Sequence, residues 1–257
     1  MREIAFLAAR EGGRVLLQKF GGVLTVAHKG AVDLVTDADH ASEEAIVSVI
    51  RGTFPRHDIL AEENSYGRCD SIYRWIIDPL DGTTNFAHGF PVFTVSIALE
   101  VAGEVTLGVV YNPFHQELFY AEKGKGAYLN SIQLRASSVA RLDEALLATG
   151  FPYDRKTSPA NNYDHFLHFQ QAAQACRRAG AASLDLVYVA AGRLDGYWEM
   201  KLKPWDVAAG GLIVAEAGGM VTDFAGGPFD IYGKEVLASN GVIHEEVVAV
   251  LKTGNRP

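Results

Sequence analysis

The residues with the types and spacing to do chemistry are Glu62, the pair Asp78 and Asp81, the Gly82-Thr83 turn behind them, and Asp206. Residues 73–77 read as a short apolar strand that runs straight into Asp78-Pro79-Leu80-Asp81-Gly82-Thr83. Two carboxylates at the end of a buried strand raise each other's pKa unless a cation lies between them. Gly82, Thr83 and Thr84 offer backbone N–H groups and hydroxyls suited to a phosphate at a helix start. A polar turn would explain one Asp-Gly pair, but not the whole run from 78 to 86. Oxygen donors without histidine or thiolate partners select hard cations such as Mg²⁺ or Mn²⁺ over zinc. Two such ions about 3.5–4 Å apart can clamp both sides of a phosphoryl displacement. The chemistry indicated is metal-assisted phosphate hydrolysis, although Asp206 taken alone equally suits a helix cap.

The elements that must position these groups can be read in order. Residues 3–20 have helical apolar spacing, weakened by Gly12 and Gly13. A Gly-rich stretch over 21–36 ends in a short extended segment. Asp37-Ala38-Asp39 then opens a second helix, whose acids favour the positive end of its dipole. The apolar residues Ala41, Ala45, Ile46, Val49 and Ile50 are predicted to form its inner face. A strand over 58–61 ends in Glu62-Glu63, and strands over 92–101 and 104–111 form a hairpin through Ala102-Gly103. Residues 117–121 and 127–129 continue the meander. The second part alternates: strand 146–149, helices 162–176 and 183–191, strand 194–199, helix 204–217 with Pro204 in its first turn, strands 221–224 and 236–238, and helix 242–251. Two subdomains in one compact unit are predicted. Residues 1–137 form an α+β part carrying the acid-rich turn, and residues 138–257 an α/β part carrying Glu199 and Asp206.

With 257 residues, 48% hydrophobic and 21% charged, the composition is that of a globular protein. A net charge of −8, from 31 acidic and 23 basic residues, argues against nucleic acid as the main partner. Cys69 and Cys176 provide neither a disulfide framework nor metal-type spacing. The first residues lack the pattern of a signal peptide, and no apolar run approaches the ~20 residues of a membrane helix. A soluble, cytoplasmic protein is the expectation.

The run Asp78-Pro79-Leu80-Asp81-Gly82-Thr83-Thr84-Asn85-Phe86 resembles the signature of the inositol monophosphatase family of Mg²⁺-dependent, lithium-sensitive sugar phosphatases. The resemblance covers nearly the whole chain, through residues 33–39, 59–63, 108–111, 196–199, 203–206 and 216–219. It implies a layered αβαβα sugar-phosphatase fold of the α+β class, and a homodimer. It further implies hydrolysis of myo-inositol monophosphate, or a related sugar or polyol phosphate, by metal-activated water without a phosphoenzyme. Glu62, Asp78 and the Leu80 carbonyl would hold one Mg²⁺, and Asp78, Asp81 and Asp206 the second. A third, weaker ion would be reached through Glu62, and Mn²⁺ could substitute. Thr83 with Asp39 would orient the attacking water, while Gly82 and Thr83 would give N–H groups to the phosphate. Glu199 and the backbone of Gly180, Ala181 and Ala182, beside Asp81 and Asp206, would meet the alcohol. Two departures touch the substrate: Gly180 is followed by Ala181-Ala182-Ser183, not by a hydroxyl residue and Ala-Ala, and the loop around Lys29 to Asp33 is shorter than in some animal members.

Other readings compete. Fructose-1,6-bisphosphatase-like and histidinol-phosphatase-like members share the metal motif. A haloacid-dehalogenase-type phosphatase also has an Asp-Gly-Thr motif, but its acids are two apart and lie near the N-terminus. Some bacterial members act in RNA-polymerase antitermination complexes, and the local basic groups here, Arg177-Arg178, Arg193, Lys201 and Lys203, read as solvated surface. His88 and His115 read as structural or surface histidines, and Trp75, Trp198 and Trp205 as packing anchors beside the site.

Overall fold

The first helix, α1 (Arg2–Lys19), buries Ala5, Ala8, Ala9, Gly12 and Leu16, a stripe that must pack against another apolar surface. A two-stranded antiparallel ribbon follows, β1 (Val26–His28) and β2 (Leu34–Thr36), and then α2 (Asp37–Thr53). The computed structural model describes residues 1–23, 25–28 and 34–253, so the predicted short loop over 29–33 lies outside the described residues. Helices α1 and α2 cover one face of a seven-stranded sheet. Its strands are β3 (Asp58–Ala61), β4 (Tyr73–Asp81), β5 (Thr94–Val101), β6 (Glu104–Asn112), β7 (Glu117–Glu122), β8 (Ala127–Leu129) and β9 (Ile132–Gln133). They lie in chain order and are antiparallel, except that β3 runs parallel to β4. The short helix α3 (Thr83–Ala87) interrupts this sheet between β4 and β5.

The second sheet contains β10 (Leu146–Thr149), β11 (Ala175–Arg177), β12 (Gly196–Met200), β13 (Met220–Thr222) and β14 (Glu235–Ser239). Their spatial order is β11-β10-β12-β14-β13. Its helices are α4 (Tyr163–Ala172), α5 (Ala182–Ala190), α6 (Pro204–Glu216) and α7 (His244–Thr253).

Strand alternation sets the layers. Trp75 and Ile77 of β4 point into the core under α1 and α2, while Ile76 points into a core shared with α5 and α6. Tyr197 of β12 points into that shared core, while Trp198 and Met200 point to the far side, where α7 and Phe169 of α4 pack. The stack is helix–sheet–helix–sheet–helix, as the resemblance implies. Among the described residues no helix is long and apolar enough to cross a membrane.

Three local expectations are corrected. The inner face of α2 is turned toward polar residues: Ser42 and Glu43 are fully buried with Ile46, Val47 and Ile50, and Ala41, Ala45 and Val49 are only half-buried. Glu43 is tolerated there because it accepts hydrogen bonds from Glu63 N (2.9 Å), Asn64 Nδ2 (2.8 Å) and Tyr66 OH (2.9 Å). The helix expected over 162–176 stops at Ala172, since Ala173 is extended and residues 175–177 pair in parallel with β10. The strand expected over 73–77 continues to Asp81.

Candidate metal and phosphate site

The continuation of β4 builds the site. On a regular strand, residues three apart point to opposite faces. Here Asp78 pairs with Ser96 and Asp81 with Thr94, so the stretch holding Pro79 and Leu80 carries one residue more than its partner. This bulge lets both acids line one cavity of about 850 Å³. Asp78 fixes the turn by accepting from Leu80 N at 3.0 Å, and Ser42 Oγ donates to Pro79 O at 2.9 Å. Gly82 follows at φ 95°, where a Cβ would lie 2.8 Å from the Val92 carbonyl oxygen, so a larger residue is both strained and obstructed.

The first turn of α3 faces the cavity through Gly82, Thr83 and Thr84. Thr83 Oγ1 lies 3.0 Å from Asp39 Oδ1 and 3.1 Å from the Leu80 carbonyl. Asp39 is buried as the third residue of α2, and its other oxygen accepts from Thr36 N (2.8 Å) and Thr36 Oγ1 (2.7 Å) in a capping box. Burial raises its pKa, against those hydrogen bonds.

Glu62 lies just beyond β3, its N–H donating to Ile77 O at 3.2 Å, and it reaches the same cavity. Asp206 enters from the other half of the chain as the third residue of α6. It caps that helix by accepting from Lys203 N at 2.7 Å while also lining the cavity. Burial holds Asp78 well above the usual carboxylate range, and the charges of Glu62, Asp81 and Asp206 push the same way. Asp206 is raised well above that range too, by burial and then by Asp81 and Glu62. Mutual repulsion of this kind is relieved by cations. Among the described residues these groups do not close into a ready-made metal cage. Their all-oxygen donor set and shared negative charge nonetheless fit a hard divalent ion.

Asp81 takes three hydrogen bonds from the start of α5: Ala182 N (3.2 Å), Ser183 N (2.7 Å) and Ser183 Oγ (2.6 Å). Ser183 Oγ also lies 2.6 Å from Thr94 Oγ1. The displaced hydroxyl of the Ala181-Ala182-Ser183 sequence thus sits behind the acid pair rather than on the loop after Gly180. Asn85 Nδ2 ties that loop to α3 by donating to the carbonyls of Val92 (2.8 Å), Ala179 (2.9 Å) and Gly180 (3.3 Å).

On the opposite wall, Glu199 of β12 is 9% exposed and accepts from Tyr197 OH at 2.6 Å. Burial pushes its carboxyl up to about 7, while the Tyr197 hydroxyl and the Arg178 charge pull the other way. A Cβ at residue 150 would collide with this carboxylate, which explains Gly150. Gly180, Ala181, Ala182, His88 and Trp205 also line the cavity, as do Arg178, Lys201 and Lys203 from the basic groups read as surface. Arg193 instead pairs with Glu117 and lies over the Phe119 and Tyr188 rings. Sequence reasoning missed Ser183, Thr94, Asn85 and Asp185. Asp185 left a signal, a lone acid in the otherwise apolar run 184–190.

The family model described as the inositol monophosphatase family matches residues 1–255. An inositol-1-monophosphatase of Synechocystis is 48% identical over 251 residues, covering 97% of this chain and 88% of that protein. The Nus factor SuhB of Escherichia coli (strain K12) is 42% identical over 257 residues, covering 98% and 96%. Among solved structures, an inositol monophosphatase from an Anabaena (Nostoc) species superposes with a TM-score of 0.89 at 45% identity, covering 98% of this chain and 94% of that one.

Proposed function

The chain belongs to the inositol monophosphatase family and is a phosphatase, and we propose that it hydrolyses myo-inositol monophosphate or a closely related polyol phosphate with two or three divalent cations, for which Glu62, Asp78 and the Leu80 carbonyl would provide one site and Asp78, Asp81 and Asp206 a second. The observation that carries this reading is the meeting, in one cavity, of carboxylates from β4, the end of β3 and α6 with the first turn of α3. When bound, the cation neutralises the phosphate's charge and makes water a better nucleophile. The remaining work falls to the chain. Thr83, its hydroxyl directed at Asp39, accepts a hydrogen bond from the attacking water and aims it at phosphorus. The N–H groups of Gly82 and Thr83 belong to a first helical turn, which lacks intrahelical acceptors, and they hold the phosphate oxygens. Glu199, fixed by Tyr197, and the loop of Gly180, Ala181 and Ala182, fixed by Asn85, face the alcohol.

In this reading residues 1–137 supply the phosphate and most of the metal site, and residues 138–257 supply Asp206 and the alcohol side. Mg²⁺ is the working ion, Mn²⁺ replaces it, Li⁺ inhibits, and the protein acts as a cytoplasmic homodimer. The test is phosphate release from myo-inositol 1-phosphate with and without Mg²⁺. Release should require the metal and fall at least a hundredfold in Asp81→Asn; release that survives chelation overturns the mechanism. Fructose 1,6-bisphosphate and histidinol phosphate in the same panel decide between the related substrates.

A further inference from the structure

Buried carboxylates in this protein are answered by donors. Asp195, for example, accepts from Ser137 Oγ (2.5 Å) and Leu146 N (2.7 Å), and Glu100 from Arg74 Nη1 (3.2 Å) and Tyr232 OH (3.0 Å). Among the described residues Asp185 is the exception: it is 2% exposed, lines the cavity, and receives no hydrogen bond from the chain. It stands on α5, whose other buried residues, Leu184, Leu186, Val187, Val189 and Ala190, belong to the core between the sheets. A leucine at this position would match its neighbours. Leaving a buried acceptor unanswered carries the full desolvation penalty of the group, so local packing gives no reason for an acid here.

The cavity does give a reason. The charged groups that act on Asp185 are Glu199, Asp81 and Arg178, and all three line the same space. Tyr197 OH bonds Oε2 of Glu199, and among the described residues no hydrogen bond from the chain reaches Oε1. We propose that Asp185 and Glu199 together hold hydroxyl groups of the substrate's alcohol, so that Asp185 sets the preference for polyol phosphates over esters of alcohols without further hydroxyls. This rests on the phosphatase reading above. Burial, reinforced by Glu199 and Asp81, lifts Asp185 well above the usual carboxylate range. An unanswered carboxyl accepts from an alcohol hydroxyl, and in its protonated form it also donates to one, which matches a group that does both. A site built to bond a hydroxyl discriminates strongly against analogues lacking it, because its buried polar group is then left unpaired.

The experiment compares wild type, Asp185→Asn and Asp185→Ala on myo-inositol 1-phosphate and on phenyl phosphate, whose alcohol has no second hydroxyl. The ratio of kcat/KM for the two esters should fall about tenfold in Asp185→Ala, chiefly through KM for the inositol ester. Asp185→Asn, which keeps a donor and an acceptor, should recover part of that ratio. Thermal unfolding should show both variants folded with Tm at or above wild type, since each removes a buried acid without a partner. A ratio within twofold of wild type, whether both rates survive or both fall, overturns the proposal. So does an unchanged ratio with a tenfold higher Mg²⁺ requirement, which would place Asp185 with the cation. Failure of the phosphatase reading shows differently, as no Mg²⁺-dependent release by wild type from either ester, and would take this inference with it.

Discussion

Replacing Glu199 by glutamine isolates the effect of one desolvated acid. Glu199 is 9% exposed, and its carboxyl is pushed up from 4.5 to about 7 by burial. Between those values the native protein holds a proton that the unfolded chain has released, so stability must fall as pH rises through the window. Below 4.5 both states are protonated and the penalty is absent; above about 7 it is fully present. At about 1.4 kcal/mol per pH unit, the window corresponds to about 3 kcal/mol. Glutamine keeps an acceptor for Tyr197 OH but does not titrate, so the variant loses the pH dependence that Glu199 contributes. Urea unfolding of the metal-free protein, followed by circular dichroism from pH 4.5 to 8, measures it. The stability of wild type minus that of Glu199→Gln should drop by about 3 kcal/mol across the range. A difference that stays level within about 0.5 kcal/mol, or that grows with pH, refutes the burial argument for Glu199.

Two further substitutions probe the framework behind the acids. Ser183→Ala removes the 2.6 Å hydroxyl contact to Asp81 while leaving the 2.7 Å bond from its own N–H. It should cost about 1.5–3 kcal/mol in stability and raise the Mg²⁺ concentration for half-maximal activity, which a metal titration of activity reads. Gly82→Ala forces a Cβ against the Val92 carbonyl at φ 95°, so it should cost about 2–4 kcal/mol in thermal or urea unfolding and abolish turnover even at saturating metal.

The acid pair was legible in the sequence because two carboxylates beside a glycine turn are costly wherever the chain places them. Its geometry was not legible. Periodicity ends the strand at Ile77, yet the bulge around Pro79 and Leu80 carries β4 to Asp81 and turns both acids into one cavity. Glu62 and Asp206 could be named by type, but their meeting with Asp78 depends on α6 packing between the two sheets, a long-range contact that local pattern does not encode. The inner face of α2 was misplaced for a related reason. Glu43 is polar by type and buried by partnership, and its donors lie at Glu63, Asn64 and Tyr66, twenty or more residues away. The end of α4 was missed because the run 172–176 has helical composition, while its partner β10 decides that residues 175–177 become a strand. Asp185 was passed over because an amphipathic pattern assigns a lone acid to solvent, whereas α5 is buried on nearly every side.

The most direct test of the site is a Mn²⁺ titration of the metal-free protein, followed by electron paramagnetic resonance of the free ion. The charges of Glu62, Asp81 and Asp206 add to burial in raising Asp78, and those of Asp81 and Glu62 do the same for Asp206, so cation binding should release protons and should depend on the group as a whole. Wild type should bind Mn²⁺ with proton release, and Asp78→Asn should weaken that binding at least tenfold while Glu100→Gln, a buried acid held by Arg74 and Tyr232 outside the cavity lining, leaves it unchanged. Equal Mn²⁺ affinity in wild type and Asp78→Asn would contradict a shared cation site at the bulge of β4.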